Sequence, residues 1–181
     1  FREGEEKVDF GEAVQVLRSV PIFSRLESSK LKLLAFASDY LTFDDGEVLF
    51  FEGDTADSAY LIDEGEVTIC AGDAGNEVMV GTLGRHELFG EMAIFRNEPR
   101  VATIRAKGPV KVLRIDGDMF LRLVTENPEA ALGVMRMLSE KIARATERFE
   151  AVEEKVRSLQ SVAEAVHPCA PMRIPGKGEK E

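Results

Sequence analysis

Cysteine is scarce. Cys70 and Cys169 are the chain's two cysteines; they lie far apart and match neither a disulfide framework nor a zinc-ligand spacing, which favours a reducing compartment. Histidine is equally rare. His86 and His167 are too distant to share a metal, which argues against a roll-shaped enzyme that grips its metal with a histidine cluster. No Ser-His-Asp or Cys-His set stands out, and Cys70 alone cannot ligate a haem or an iron-sulfur centre. Positive charge is in deficit, with 23 Lys and Arg against 33 Asp and Glu and a formal net charge of -10. General attraction to nucleic-acid phosphates or anionic lipid is therefore not expected, and any anion must be captured by a local site. No uncharged apolar run approaches the roughly 20 residues that cross a bilayer. The opening "FREGEEKVDF" lacks the apolar centre of a secretion signal, so a soluble cytoplasmic chain is expected, and its start at Phe1 rather than Met suits an excised piece of a longer protein.

What is present suits one globular domain of ordinary core size with an extension: 181 residues, 44% hydrophobic and 31% charged. Between residues 12 and 40, Val14 and Leu17 precede Pro21, and Leu31, Leu34, Ala35 and Ala37 follow a candidate cap at Ser28 or Ser29. That spacing predicts two short helices. From Leu41 to Ile115 the text turns to short β-rich runs, "EVLFFEG", "SAYLIDEGEVTIC", "EVMVGTLG", "VATIRA" and "VKVLRI", punctuated by Gly46, Gly53, Gly65, Gly72, Gly75, Gly84 and Gly108. Such punctuation predicts a compact antiparallel barrel or roll. After Asp116 the strands stop and two further helices are expected. The expected organisation is a tail over 1–12, a roll with its N-terminal helices over 13–118, C-terminal helices over 119–164 and a flexible tail over 165–181, whose "HPCAPMRIPGKGEKE" is rich in proline and glycine.

The last helix has the clearest signature. Asn127 is a candidate cap, Pro128 suits the first helical position and Glu129 the first turn. Met135, Leu138, Ile142, Ala145, Phe149, Val152, Val156, Leu159 and Ala163 then recur at alternating spacings of three and four, with charged residues between. This is a coiled-coil seam and predicts a homodimer. Val134, Met137 and Lys141 offer a second face near the start, where the helix would pack on its own roll.

One stretch, "FGEMAIFRNEPR", concentrates charge around a glycine turn. Gly90 follows a strand and precedes residues, Glu91 to Ile94, able to form a helical turn whose first N-H groups favour a phosphate. Arg100, before the next strand, can complete a cage with a bidentate guanidinium. Glu91 is out of place beside a phosphate unless the ligand also carries a hydroxyl. Arg85, Arg96 and Arg105 are expected to be solvated.

These residues resemble the phosphate-binding cassette of cyclic-nucleotide-binding domains, as in protein kinase A regulatory subunits, nucleotide-gated channels and the bacterial catabolite activator protein. The likeness extends upstream through "GEVLFFEGDTADSAYLIDEGEV", with Gly46, Gly53, Asp54, Tyr60, Gly65 and Val67 in place, and downstream through "PRVATIRA". It implies an α+β fold, an antiparallel β-roll (a jelly-roll-like double-stranded β-helix) flanked by N-terminal helices and a long C-terminal helix. By that resemblance Arg100 pairs with the cyclic phosphate and Glu91 binds the ribose 2'-OH. Gly90, Met92, Ala93 and Ala102 line the cage through backbone atoms, and Leu88 and Phe89 support the sugar and base, with ordinary core packing as the alternative for each. Val101 stands where relatives favouring cGMP often carry threonine, which leans the ligand toward cAMP without excluding cGMP. Phe149 falls where the terminal helix reaches the base; it caps the base, packs in the seam, or does both. The expectation is a non-catalytic sensor without a cofactor. Its rivals are a dimerising scaffold that has lost its ligand and the sensor part of a regulator whose output domain lies elsewhere. Direct DNA binding is not expected, because the residues after Ala163 are too few for a helix-turn-helix.

Overall fold

The computed structural model describes residues 10–72 and 77–165. Most of the two expected tails, with His167 and Cys169, lies outside these residues. Two helices come first, α1 (Phe10–Ser19) and α2 (Ser28–Phe36), followed by the strands β1 (Ser38–Phe43), β2 (Val48–Phe50), β3 (Ser58–Ala71), β4 (Val78–Leu83) and β5 (Leu88–Phe89). A short helix, α3 (Glu91–Arg96), precedes the long strand β6 (Thr103–Asp116), and α4 (Gly117–Glu126) and α5 (Pro128–Ala165) complete the order. The chain divides into two compact units, Phe1–Met137 and Leu138–Glu181.

The first unit is an antiparallel roll whose sheet follows the order β1-β6-β3-β4, with β2 added on β6 and β5 on β3. The sheet is not closed. The expected "VATIRA" and "VKVLRI" strands are one strand, β6, which runs through Gly108 as β3 runs through Gly65. Each glycine has positive φ, at 87° and 77° for Gly65 and Gly108, so it bends its strand instead of ending it. The β3–β6 ladder shifts register twice around Gly65, between Ile62 and Glu64 and between Glu64 and Glu66. A Cβ on Gly65 would stand 2.3 Å from the Pro109 carbonyl oxygen, so a side chain is excluded where the bent strands cross. Inside the roll, Tyr60, Ile62, Val67, Phe89, Ile104 and Val112 form the apolar core.

The helices of this unit bury their own layer. Phe23 and Phe120 are both 0% exposed and meet edge to face, ring centroids 6.1 Å apart. Near the start of α5, Ala130 and Val134 are buried, and a Cβ on Gly133 would come within 2.8 Å of Ile22 Cα. The wider apolar face expected there is thus present at Val134.

Two expected caps differ from the structure. Ser28 is the first residue of α2 and Glu27 holds the cap position without a side-chain hydrogen bond. Asn127 precedes α5, but its side chain turns back, its amide nitrogen donating to the Leu123 carbonyl at 2.7 Å while its amide oxygen accepts from Lys30. Its side chain therefore closes α4 rather than opening α5, because the adjoining helix end and Lys30 both offer partners for the amide.

In the second unit α5 continues as a helix through Ala165. Ile142, Phe149, Val152, Val156 and Leu159 are exposed along it.

Replacing Phe120 with Ala removes an aromatic ring from a fully buried cluster and should cost about 3–5 kcal/mol of stability. Urea unfolding followed by circular dichroism checks this; a midpoint matching that of the parent chain would mean that the Phe23–Phe120 layer contributes little.

Candidate functional site

The site begins where β5 runs out. Leu88 and Phe89 pair with Leu61 and Tyr60 of β3 and are buried, which anchors the chain just before Gly90. Gly90 takes the left-handed conformation, φ 79°, at the start of α3. A Cβ there would lie 2.7 Å from Arg100 Nη1 and 3.4 Å from both the Ser58 carbonyl oxygen and the Tyr60 ring. Glycine is demanded twice, by the backbone angle and by the approach of Arg100. Helix α3 runs to Arg96, beyond the single turn expected to end at Ile94, and stops at Asn97, which also has positive φ.

Arg100 is 3% exposed. Its backbone is pinned from both sides: its N-H donates to the Asp54 carbonyl and its carbonyl accepts from Gly53 N-H, each at 2.8 Å. The guanidinium donates through Nη1 to the Gly90 carbonyl at 2.9 Å and through Nη2 to the Ser58 carbonyl at 2.8 Å. The Asp57 carboxylate stands 3.7 Å from Nη2, too far for a hydrogen bond. Nε is buried and has no hydrogen-bond acceptor among the described residues. Burial pulls the guanidinium below its usual pKa, opposed by Tyr60, Asp57, Asp54 and Glu91. A buried cation with an unused donor is costly unless an anion or acceptor meets it.

Glu91, 1% exposed, is the other buried charge of the segment and opens α3 next to Gly90. The structure thus gathers Leu88, Phe89, Gly90, Glu91, Ala93 and Arg100 at one end of the roll, with Ala102 half-buried in the bend before β6. Met92 and Val101 are 44% and 49% exposed. Phe149 lies on α5 in the second unit, 64% exposed. Of the arginines expected in solvent, Arg85 and Arg96 are largely exposed. Arg105 is less so: it bonds the Gly46 carbonyl at 2.9 Å and Glu77 at 3.1 Å, held by neighbours across the sheet. Sequence reading missed Phe50, Asp57 and Ser58 as members of the site; the run "VLFF" marks a strand but not which of its rings turns toward Arg100, and in the structure Phe50 is half-buried and Phe51 exposed.

A family model for the cyclic nucleotide-binding domain matches residues 40–127, a span that holds the roll, Gly90, Glu91 and Arg100. Residues 40–127 belong to the cyclic nucleotide-binding domain family. Among relatives of this domain, the cAMP-dependent protein kinase regulatory subunit of Emericella nidulans is 38% identical over 108 residues, 60% of this chain and 26% of the relative. That of Blastocladiella emersonii is 35% identical over 109 residues, 60% of this chain and 27% of the relative. The chain thus spans about a quarter of the length of the curated relatives it matches. The regulatory domain of Toxoplasma gondii PKA, solved with cAMP, superposes with a TM-score of 0.63 at 26% identity, over 75% of this chain and 50% of that one. The sensor domain of the transcriptional regulator DNR from Pseudomonas aeruginosa superposes with a TM-score of 0.64 at 28% identity, over 71% and 91%. The proteins this chain resembles thus include kinase regulatory subunits and the sensor domain of a transcriptional regulator. Among the described residues no cluster of His, Cys, Asp or Glu is placed to hold a metal, and no helix is long and apolar enough to cross a membrane.

Gly90→Ala forces a side chain into a left-handed position against the Arg100 guanidinium. It should lower stability by about 1–3 kcal/mol, read by urea unfolding; an unchanged midpoint would mean that the turn relaxes freely and does not hold Arg100.

Proposed function

We propose that the segment from Leu88 to Ala102 binds cAMP, and that the chain is a non-catalytic regulatory sensor in the cytoplasm. The observation that carries this reading is Arg100, buried beside Gly90 with Nε lacking an acceptor among the described residues. A cyclic phosphate is a compact anion that can accept from this edge. Glu91 is assigned to the ribose 2'-OH, because a carboxylate accepts a hydroxyl proton without approaching the phosphate. Gly90, Met92, Ala93 and Ala102 are assigned backbone contacts with the cage, and Leu88 and Phe89 the support of sugar and base. Val101 presents no hydroxyl, which favours cAMP over cGMP. Binding signals only if the ligand prefers one arrangement of the helices over another. The regulatory subunits among the relatives support a kinase or an attached output domain as receiver.

We also propose that the chain dimerises through α5. Ile142, Phe149 and Val156 repeat at intervals of seven, Val152 and Leu159 follow Phe149 and Val156 by three, and all are exposed. An apolar stripe of that period matches a second copy of itself, and Phe149 is one of its knobs.

Calorimetric titration of the purified chain with cAMP and cGMP tests the ligand; folded protein giving heat with neither would restore the scaffold reading. Arg100→Ala should keep the fold and weaken cAMP by roughly 2–5 kcal/mol, as loss of a buried charged partner does. Glu91→Gln should weaken cAMP while leaving a 2'-deoxy analogue nearly indifferent, and equal losses for the two ligands would remove Glu91 from the ribose.

Val152→Glu with Val156→Glu places like charges in the seam and should give monomers that still bind nucleotide. Light scattering with and without cAMP reads this directly; persistent dimers would refute pairing through α5.

A further inference from the structure

The Arg100 guanidinium is held by more than hydrogen bonds. Its central carbon lies over the Phe50 ring, 4.3 Å from the centroid, and 5.6 Å from that of Tyr60. Phe50 is held in turn, with its ring centroid 5.6 Å from Tyr60 and 6.1 Å from Phe89. Tyr60 and Phe89 stack at 5.3 Å with their planes 14° apart. Three strands supply the cluster: Phe50 from β2, Tyr60 from β3 and Phe89 from β5. The Asp57 carboxylate is 3.7 Å from Nη2 and itself largely solvated, so it neutralises little of the charge. Aromatic faces carry negative potential and offer a buried cation what a distant carboxylate does not. They engage the face of a planar guanidinium and leave its edge of N-H donors for in-plane partners.

The geometry points to Phe50 as a positioning residue that sets nucleotide affinity through Arg100: its ring fixes the guanidinium by a cation–π contact so that the N-H edge faces an incoming phosphate. This rests on the cyclic nucleotide reading of the site. Phe50 touches no ligand in this role. An aliphatic side chain fills similar space without the quadrupole, so the two roles, packing and electrostatic, can be separated chemically.

The test varies the electronics of ring 50 while holding its shape. Phe50→Leu should weaken cAMP by about 2- to 30-fold, the range of exposed to desolvated cation–π contacts, and Phe50→Tyr should restore binding to near the parent value. Because Phe50→Leu can disturb β2, the decisive series replaces Phe50 with mono-, di- and trifluorinated phenylalanine, which lowers the negative potential of the face stepwise. Affinity for cAMP should fall stepwise along the series while the urea midpoint changes little. In the unliganded protein the Arg100 guanidinium protons should show an upfield ring-current shift in NMR spectra that Phe50→Leu removes. A flat affinity series with intact parent binding would overturn the role of Phe50 and leave the nucleotide reading standing. A parent chain that shows the ring-current shift but binds neither cAMP nor cGMP would instead overturn the nucleotide reading.

Discussion

Everything near the site is organised around one constraint, the burial of a guanidinium. Water would solvate Arg100 far better than a protein interior does, so each group around it substitutes for part of that hydration. The Gly90 and Ser58 carbonyls take two N-H groups, Phe50 and Tyr60 cover the face, and Gly53 and Asp54 pin the backbone. The requirement for glycine at position 90 follows, because a Cβ there would occupy the space of Nη1. Nε, without an acceptor among the described residues, is the part of the hydration left unreplaced.

The roll makes this arrangement possible by bringing together segments that are distant in sequence. Strand β3 carries Ser58 and Tyr60, β5 delivers Phe89 and then Gly90, and β2 adds Phe50 across from Ile104 of β6. The bends at Gly65 and Gly108 let β3 and β6 serve two parts of one open sheet. The cassette is also not isolated from the helical layer. Phe95 of α3 lies with its ring 5.5 Å from that of Phe120 in α4, and Gly117 N-H, at the start of α4, donates to the Asp57 carbonyl at 2.9 Å. A shift of Gly90 and α3 around an anion would be felt first at these two contacts, because close-packed interiors pass on displacements rather than absorb them.

Local patterns were legible to the degree that local physics controls them. β-rich runs punctuated by glycine announced β2, β3 and β4, and Pro128 followed by the seven-residue apolar repeat announced α5. Gly90, Glu91 and Arg100 stood out because two buried-type charges around a glycine turn have no structural excuse. The caps were less legible: Ser28 and Asn127 have the right chemistry for an N-cap, yet tertiary neighbours offered Asn127 a better use at the end of α4. Gly108 suggested a break, and the ladder to β3 carried β6 through it.

By itself the sequence determined the order of helices, roll and helices, the antiparallel class of the sheet, the charged cassette and the period of the apolar stripe on α5, since these depend on neighbours within a few positions. Only the tertiary structure decided what surrounds Arg100. A cation–π contact between residues 50 and 100, or a bond from residue 100 to the carbonyl of residue 58, leaves no periodic trace in the chain. Such contacts exist because strand pairing over long loops sets which side chains share a space, and that space, rather than either residue alone, decides how a charge is held.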